Sequence, residues 1–162
     1  MLFRSQKFNL TAIEDDTSII NYHFSDSLSL SALLNCKELK AIADVGSGAG
    51  FPGIPIKIMY PHLKVVLIEV NGKKVKFLEN TAKELGLDEF IVEQMDWRNF
   101  IRNTSFEVDL FCARASLQMD ELHRMFKPSS VYKNSKLVYW AADGWQPSYD
   151  EEQLIAGEFS YQ

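Results

Sequence analysis

Four glycines fall within eight residues in the stretch Asp44-Val45-Gly46-Ser47-Gly48-Ala49-Gly50-Phe51-Pro52-Gly53. Glycine carries no Cβ, so such a run suits a tight turn in which the backbone comes close to a ligand. The flanking residues give the turn its context. Leu39 to Val45 reads as a short buried strand, and Ile54 to Met59 continue a helix whose first turn holds Pro52, a favoured place for proline. A strand, a glycine turn and a helix in that order expose backbone N–H groups at the helix start.

The rest of the chain repeats the alternation. Residues 17–34 carry Ile19, Ile20, Tyr22, Phe24, Leu28, Leu30, Leu33 and Leu34 at helical spacing, with Asp15 or Asp16 and Thr17 as an N-cap. Val65 to Ile68 is a continuous apolar run of the kind found in central parallel strands. Residues 72–86 follow with helical period and Gly86 as the C-cap. Further strands are expected at 89–94, 108–113 and 136–141, and a short helix near 151–155 and a strand at 158–161 in the tail. Strands alternating with helices predict an α/β fold with a doubly wound, mostly parallel sheet flanked by helices. No repeat or linker divides the 162 residues, so one domain is expected, with 1–36 as a helical extension and 37–162 as a Rossmann-like core.

Composition narrows the function. A hydrophobic share of 46% and a charged share of 24% are ordinary for a soluble globular chain. No apolar stretch is long enough to cross a bilayer. The start lacks a secretory signal, so a cytoplasmic, monomeric protein is the expectation. A net charge of −5 weighs against a broad grip on naked nucleic acid, though not against a local basic patch. Lys73, Lys74 and Lys76, with Arg4 and Lys7, could supply such a patch or simply be solvated. Cys36, Cys112, His23, His62 and His123 have no metal-ligand spacing, so no metal is expected.

The glycines alone fit any dinucleotide fold, since Gly48, Gly50 and Gly53 satisfy G-x-G-x-x-G. Asp44 discriminates. A carboxylate at the strand end opposes the phosphates of a dinucleotide, but suits a ligand with an ammonium, a sulfonium and no phosphate. Glu69, at the end of the second strand, can accept hydrogen bonds from ribose hydroxyls. These features point to S-adenosyl-L-methionine as the cofactor.

The longer run through Ile54-Pro55 resembles the signature of the bacterial small-subunit rRNA guanine-N7 methyltransferases, the RsmG (formerly GidB) family. Lys7-Phe8-Asn9-Leu10-Thr11-Ala12-Ile13, His23-Phe24-Ser25-Asp26-Ser27-Leu28, Gly72-Lys73-Lys74-Val75-Lys76-Phe77-Leu78 and Ala113-Arg114-Ala115 are similar to further family motifs, in the same order. The resemblance spans roughly residues 4–120. It implies a class I methyltransferase (Rossmann-like) that methylates N7 of a guanine in the decoding region of 16S rRNA, with that rRNA or the small ribosomal subunit as partner. It also implies cofactor contacts at Gly46, Phe51, Glu69 and Arg114, with Trp97 and Arg98 beside the adenine. The candidate cofactor-binding residues are therefore Asp44, Gly46, Gly48, Phe51, Glu69, Trp97, Arg98 and Arg114. Arg114 is also the candidate catalytic residue, or else one half of a structural ion pair. Ala141-Ala142-Asp143-Gly144 departs from the lysine-glycine the family has there, and both ends are expected to be shorter than the family pattern.

Guanine N7 has an in-plane lone pair, so no general base is needed and alignment can supply the catalysis. Cys112-Ala113-Arg114-Ala115 lacks the motif of N6-adenine or N4-cytosine enzymes, and Cys112 reads as a buried strand residue, as does Cys36. His23 and Asp26 form either a surface pair or a contact to the crevice. Trp140 reads as core, and Trp145 as a possible base-stacking surface. A methyltransferase acting on a small molecule or protein, and a cofactor-binding paralogue without turnover, remain open beside the rRNA reading.

Overall fold

Strands β1 (Ala41–Val45), β2 (Lys64–Ile68), β3 (Phe90–Glu93), β4 (Leu110–Arg114) and β5 (Lys136–Trp140) form one parallel sheet in the order β3-β2-β1-β4-β5. The protein is described from a computed structural model, which covers residues 20–114, 121–122 and 124–141. The expected tail elements, the motif at 7–13, Arg4, Lys7 and Trp145 lie outside those residues. Every residue of β1 is buried, as befits the middle of a sheet covered on both faces, whereas β3 is only half-buried at the edge.

Alternation sorts the side chains into two layers. Ile42, Val65, Leu67, Leu110 and Cys112 face one way, against Ile54 and Ile56 of helix α1 (Gly53–Met59) and Phe77 and Leu78 of α2 (Gly72–Leu85). Ala43, Val45, Val66, Ile68, Phe111 and Ala113 face the other way, against Trp97 and Phe100 of α3 (Trp97–Asn103). Helix α2 starts on Asn71, whose side chain accepts the Lys73 and Lys74 N–H groups, and ends on Gly86 at φ 62. That left-handed C-cap is the one expected.

Three boundaries differ from expectation, each for a local reason. Residues 20–32 are not one helix: they run as a π turn (Ile20–Ser25), a single α turn (Asp26–Leu28) and a 3-10 turn (Ser29–Ala32). Ser27, Ser29 and Ser31 each donate a side-chain hydrogen bond to a carbonyl three or four residues back, to His23, Asp26 and Leu28. Such bonds compete with the helical ladder and bend it. Pro52 is the N-cap of α1 rather than a first-turn residue. Helix α3 was not expected at all, although Asp96 caps it by accepting the Asn99 N–H at 2.9 Å and Phe100 is fully buried beneath it.

Lys57 of α1 is also buried, and its ammonium donates to the Pro61 and Leu63 carbonyls at 2.8 and 2.6 Å. It thereby closes the connection from α1 into β2.

The glycine turn rests on missing Cβ atoms. A Cβ on Gly50, at φ 94, would lie 2.3 Å from Ile54 Cδ1 and 3.0 Å from Leu78 Cδ2. At Gly48 (φ 59) the nearest atom would be 3.8 Å away. Gly50→Ala should therefore lose both conformational freedom and packing, about 2–4 kcal/mol in all, while Gly48→Ala should lose only about 1–2 kcal/mol from its backbone. Chemical denaturation of the two variants checks the order; equal losses would contradict it.

Candidate cofactor crevice

The chain leaves β1 to form β2 on one side and returns to form β4 on the other, so β1 and β4 flank the point where the strand order reverses. In open α/β sheets ligands bind there, beyond the carboxyl ends of the strands. The glycine turn sits at this point. Gly46 and Ser47 donate their N–H groups to the Ile68 carbonyl, Ser47 Oγ donates to the Asp44 carbonyl, and Gly50 N–H donates back to Ser47. Gly46, Gly48 and Gly50 all have positive φ.

Asp44 lies under this turn on the α1 face, 1% exposed. Its Oδ2 accepts the Gly53 N–H at 3.0 Å, while Oδ1 has no hydrogen-bond partner. Burial pushes the carboxyl up to about 7, against the opposing pull of the Gly53 N–H and the Arg114 charge. Buried polar atoms are nearly always paired, so Oδ1 is fit to meet a donor brought by a ligand.

Glu69, just past β2, is also buried. Oε2 accepts the Gly48 N–H at 2.9 Å and Oε1 the Asn71 N–H at 2.8 Å. It therefore braces the turn against the start of α2. Each oxygen still has lone-pair capacity for a ribose hydroxyl. Val70 beside it is a large apolar residue left 62% exposed; standing alone between Glu69 and Asn71, it carries no hydrophobic period that would mark it in the sequence.

Arg114, the last residue of β4, donates from Nη1 to Asp26 Oδ2 at 2.8 Å and lies 3.2 Å from His23 Nδ1 through Nη2. The guanidinium is 5.5 Å from the Phe51 ring centroid, on which His23 stacks at 4.8 Å. Phe51 is buried by these contacts and by the edge of Phe24 at 5.4 Å. Trp140 Nε1 donates to the Asp26 carbonyl at 3.0 Å, so this half-buried tryptophan of β5 also belongs to the crevice wall. Of the two roles open for His23 and Asp26, the crevice contact is the one observed. The ion pair considered for Arg114 also exists.

The structure thus gathers Asp44, Gly46, Gly48, Phe51, Glu69 and Arg114 around one turn. Trp97 and Arg98 stand at the start of α3, which follows the carboxyl end of β3. Trp97 is packed in the core, and Arg98 lies over its ring at 5.0 Å while pairing with Glu121 at 2.6 Å. Cys36 and Cys112 are buried free thiols, both pushed up by desolvation. Among the described residues no group of acidic, histidine or cysteine side chains is arranged to hold a metal, and no helix is long and apolar enough to cross a membrane. A cleft of about 770 Å³ opens at the amino-terminal ends of the strands, lined by Lys40, His62, Lys64, Glu89 and Asp109. Its groups serve the fold: Asp109 accepts the Lys40 and Ala41 N–H groups, and Lys64 covers Phe106.

A buried carboxyl with a raised pKa makes stability depend on pH in a defined direction. The unfolded chain ionises near 3.8 and the folded one near 7. Between those values the folded state binds more protons, so stability is full below about 4 and falls as pH rises through 7. Asp44→Asn keeps an acceptor for Gly53 and removes this dependence. Denaturation across pH 4–8 should show wild type losing up to about 4 kcal/mol relative to the variant; parallel curves would contradict the buried proton.

The family model described as rRNA small subunit methyltransferase G (GidB) matches residues 2–145. A protein of that name from Listeria monocytogenes serovar 1/2a is 36% identical over 153 residues, covering 93% of this chain and 64% of the relative. Its namesake from Geobacillus sp. (strain WCH70) is 39% identical over 162 residues, covering 96% of this chain and 68% of the relative. The chain therefore spans about two thirds of the length of such relatives. Among solved structures, the mitomycin 7-O-methyltransferase MmcR has a TM-score of 0.58 at 15% identity, over 93% of this chain and 44% of its own. TYW2 of P. horikoshii, in complex with MeSAdo, has a TM-score of 0.50 at 19% identity, over 72% of this chain and 42% of its own. These two likenesses show the methyltransferase fold, and with the match over most of the chain they lead to one conclusion: the chain belongs to the rRNA small subunit methyltransferase G family.

Proposed function

We propose that this chain is an S-adenosyl-L-methionine-dependent methyltransferase acting on N7 of a guanine in 16S rRNA, presented as the rRNA or the small ribosomal subunit. The observation that carries the cofactor reading is the unpartnered Oδ1 of buried Asp44 beneath a three-glycine turn at the strand-order reversal. The cofactor's ammonium would supply the missing donor. Glu69 would accept the ribose hydroxyls, exposed Val70 would give the adenine an apolar contact, and Gly46 and Gly48 would let the ligand approach the backbone. Trp97 and Arg98 would lie beside the adenine, from the start of α3. The MeSAdo bound to the TYW2 fold relative is of the same ligand class. The rRNA substrate rests on family membership.

The residues divide the work simply. The bound cofactor supplies an electrophilic methyl on a sulfonium. Guanine N7 would take that methyl on its in-plane lone pair, so the chain's own residues need hold no general base. What the protein contributes is alignment and the exclusion of water. Arg114, the last residue of β4, would meet an anionic oxygen of the cofactor or the RNA from that side. In this reading the chain works as one cytoplasmic domain and as a monomer, with 1–36 an extension on the core 37–162.

The test is transfer of labelled methyl to under-methylated small subunits, to naked 16S rRNA and to a metabolite mixture. Label at guanine N7 is expected in one of the first two. Label only in a metabolite would replace the substrate, and binding without transfer would replace the enzyme by a cofactor-binding paralogue. Asp44→Asn should weaken S-adenosyl-L-methionine about 10- to 100-fold, the value of one hydrogen bond to a charged group. Calorimetry that finds unchanged affinity would remove Asp44 from the site.

A further inference from the structure

The N-terminal segment reaches the crevice through a residue held at two points. Asp26 binds Arg114 through its carboxylate and Trp140 through its carbonyl. His23, one turn earlier, stacks on Phe51 and faces the same guanidinium. A guanidinium can only donate, so His23 Nδ1 is the acceptor in that contact and the ring proton sits on Nε2. Three places around the crevice, the turn, the end of β4 and the end of β5, are thus tied to one short stretch that has no regular helix of its own.

We propose that Asp26 is a positioning residue, which with His23 fixes the Arg114 guanidinium beside Phe51 in register for an anionic oxygen of the bound ligands. The inference rests on the methyltransferase reading above. An arginine side chain loses rotamer freedom when it is held in one place, a cost that a ligand would otherwise have to offset on binding. Here the side chain is immobilised beforehand by a carboxylate, an imidazole and an aromatic ring. The pair is mostly covered, with side chains 18% and 16% exposed, so water screens it little and competes little for the guanidinium. The oxygen could be an RNA phosphate or the cofactor's carboxylate, both of which an arginine fork recognises.

The full chain and its D26N, R114A and D26N/R114A variants distinguish the alternatives. Binding of S-adenosyl-L-methionine is measured by calorimetry and binding of small subunits at several salt concentrations. The Arg114 side-chain Nε–H resonance reports the order of the guanidinium directly. D26N should broaden or shift that resonance and weaken at least one of the two ligands about tenfold, while the double variant should bind no more weakly than R114A alone. A loss confined to S-adenosyl-L-methionine assigns the oxygen to the cofactor, and a loss confined to subunits, with a shallower salt dependence, assigns it to RNA. Losses that add, or full affinity in D26N where R114A is weakened, overturn the positioning role and leave the function intact. Wild-type affinity for both ligands in R114A overturns the role assigned to Arg114 itself. His23→Phe keeps the stack on Phe51 and removes the acceptor; it should show the same non-additivity should D26N fold poorly.

Discussion

The hydrogen bond from Gly53 N–H to Asp44 Oδ2 joins the central strand to the first helix of the core, and much of the site follows from it. Asp44 faces α1 because side chains alternate along β1, and it can come within 3.0 Å of the helix start because position 53 has no Cβ: one there would lie 2.3 Å from Leu67 and 3.0 Å from Asp44 itself. That closeness buries the carboxylate and leaves its other oxygen without a partner. A helix start favours negative charge, yet one N–H does not balance full burial, which is why the group holds its proton to about pH 7. In the proposed site, the oxygen whose burial costs stability is the one that the cofactor's ammonium would pair.

Around that centre two further acidic residues tie the elements together. Glu69 spans from the turn to α2, using both oxygens on backbone donors. Asp26 spans from the N-terminal segment to β4 and β5. The crevice is thus framed by long-range polar contacts laid over an apolar sheet, and its electrostatic balance depends on which carboxylates are desolvated.

Much of this was legible in the residues. The five strands, the capped α2 helix, the glycine turn and its place after a buried strand all follow from hydrophobic period, cap chemistry and the freedom of glycine. Asp44 and Glu69 were marked by their positions at strand ends, and Arg114 by the family resemblance as well. What escaped was of two kinds. Helix α3 is too short to show a periodic pattern, although Asp96 at its N-cap was a usable signal. The segment 20–32 showed helical period but carried serines at 27, 29 and 31 whose hydroxyls bond the backbone and break the ladder. The side chains of Trp97 and Arg98, placed beside the adenine by resemblance, go to core packing and a cation–aromatic contact, and Arg98 pairs with Glu121, twenty-three residues on.

The sequence by itself determined the order of elements, the two-faced burial of the central strands and the conformation of the turn, because each depends on residues within a few positions of one another. Only the tertiary structure decided that Asp26, 88 residues before its partner in the chain, would hold Arg114, that Phe51 would lie under His23, and that one oxygen of Asp44 would be left unpaired. Those outcomes depend on strand order and on which elements pack across the end of the sheet, and contacts between segments so far apart leave no periodic trace in the chain.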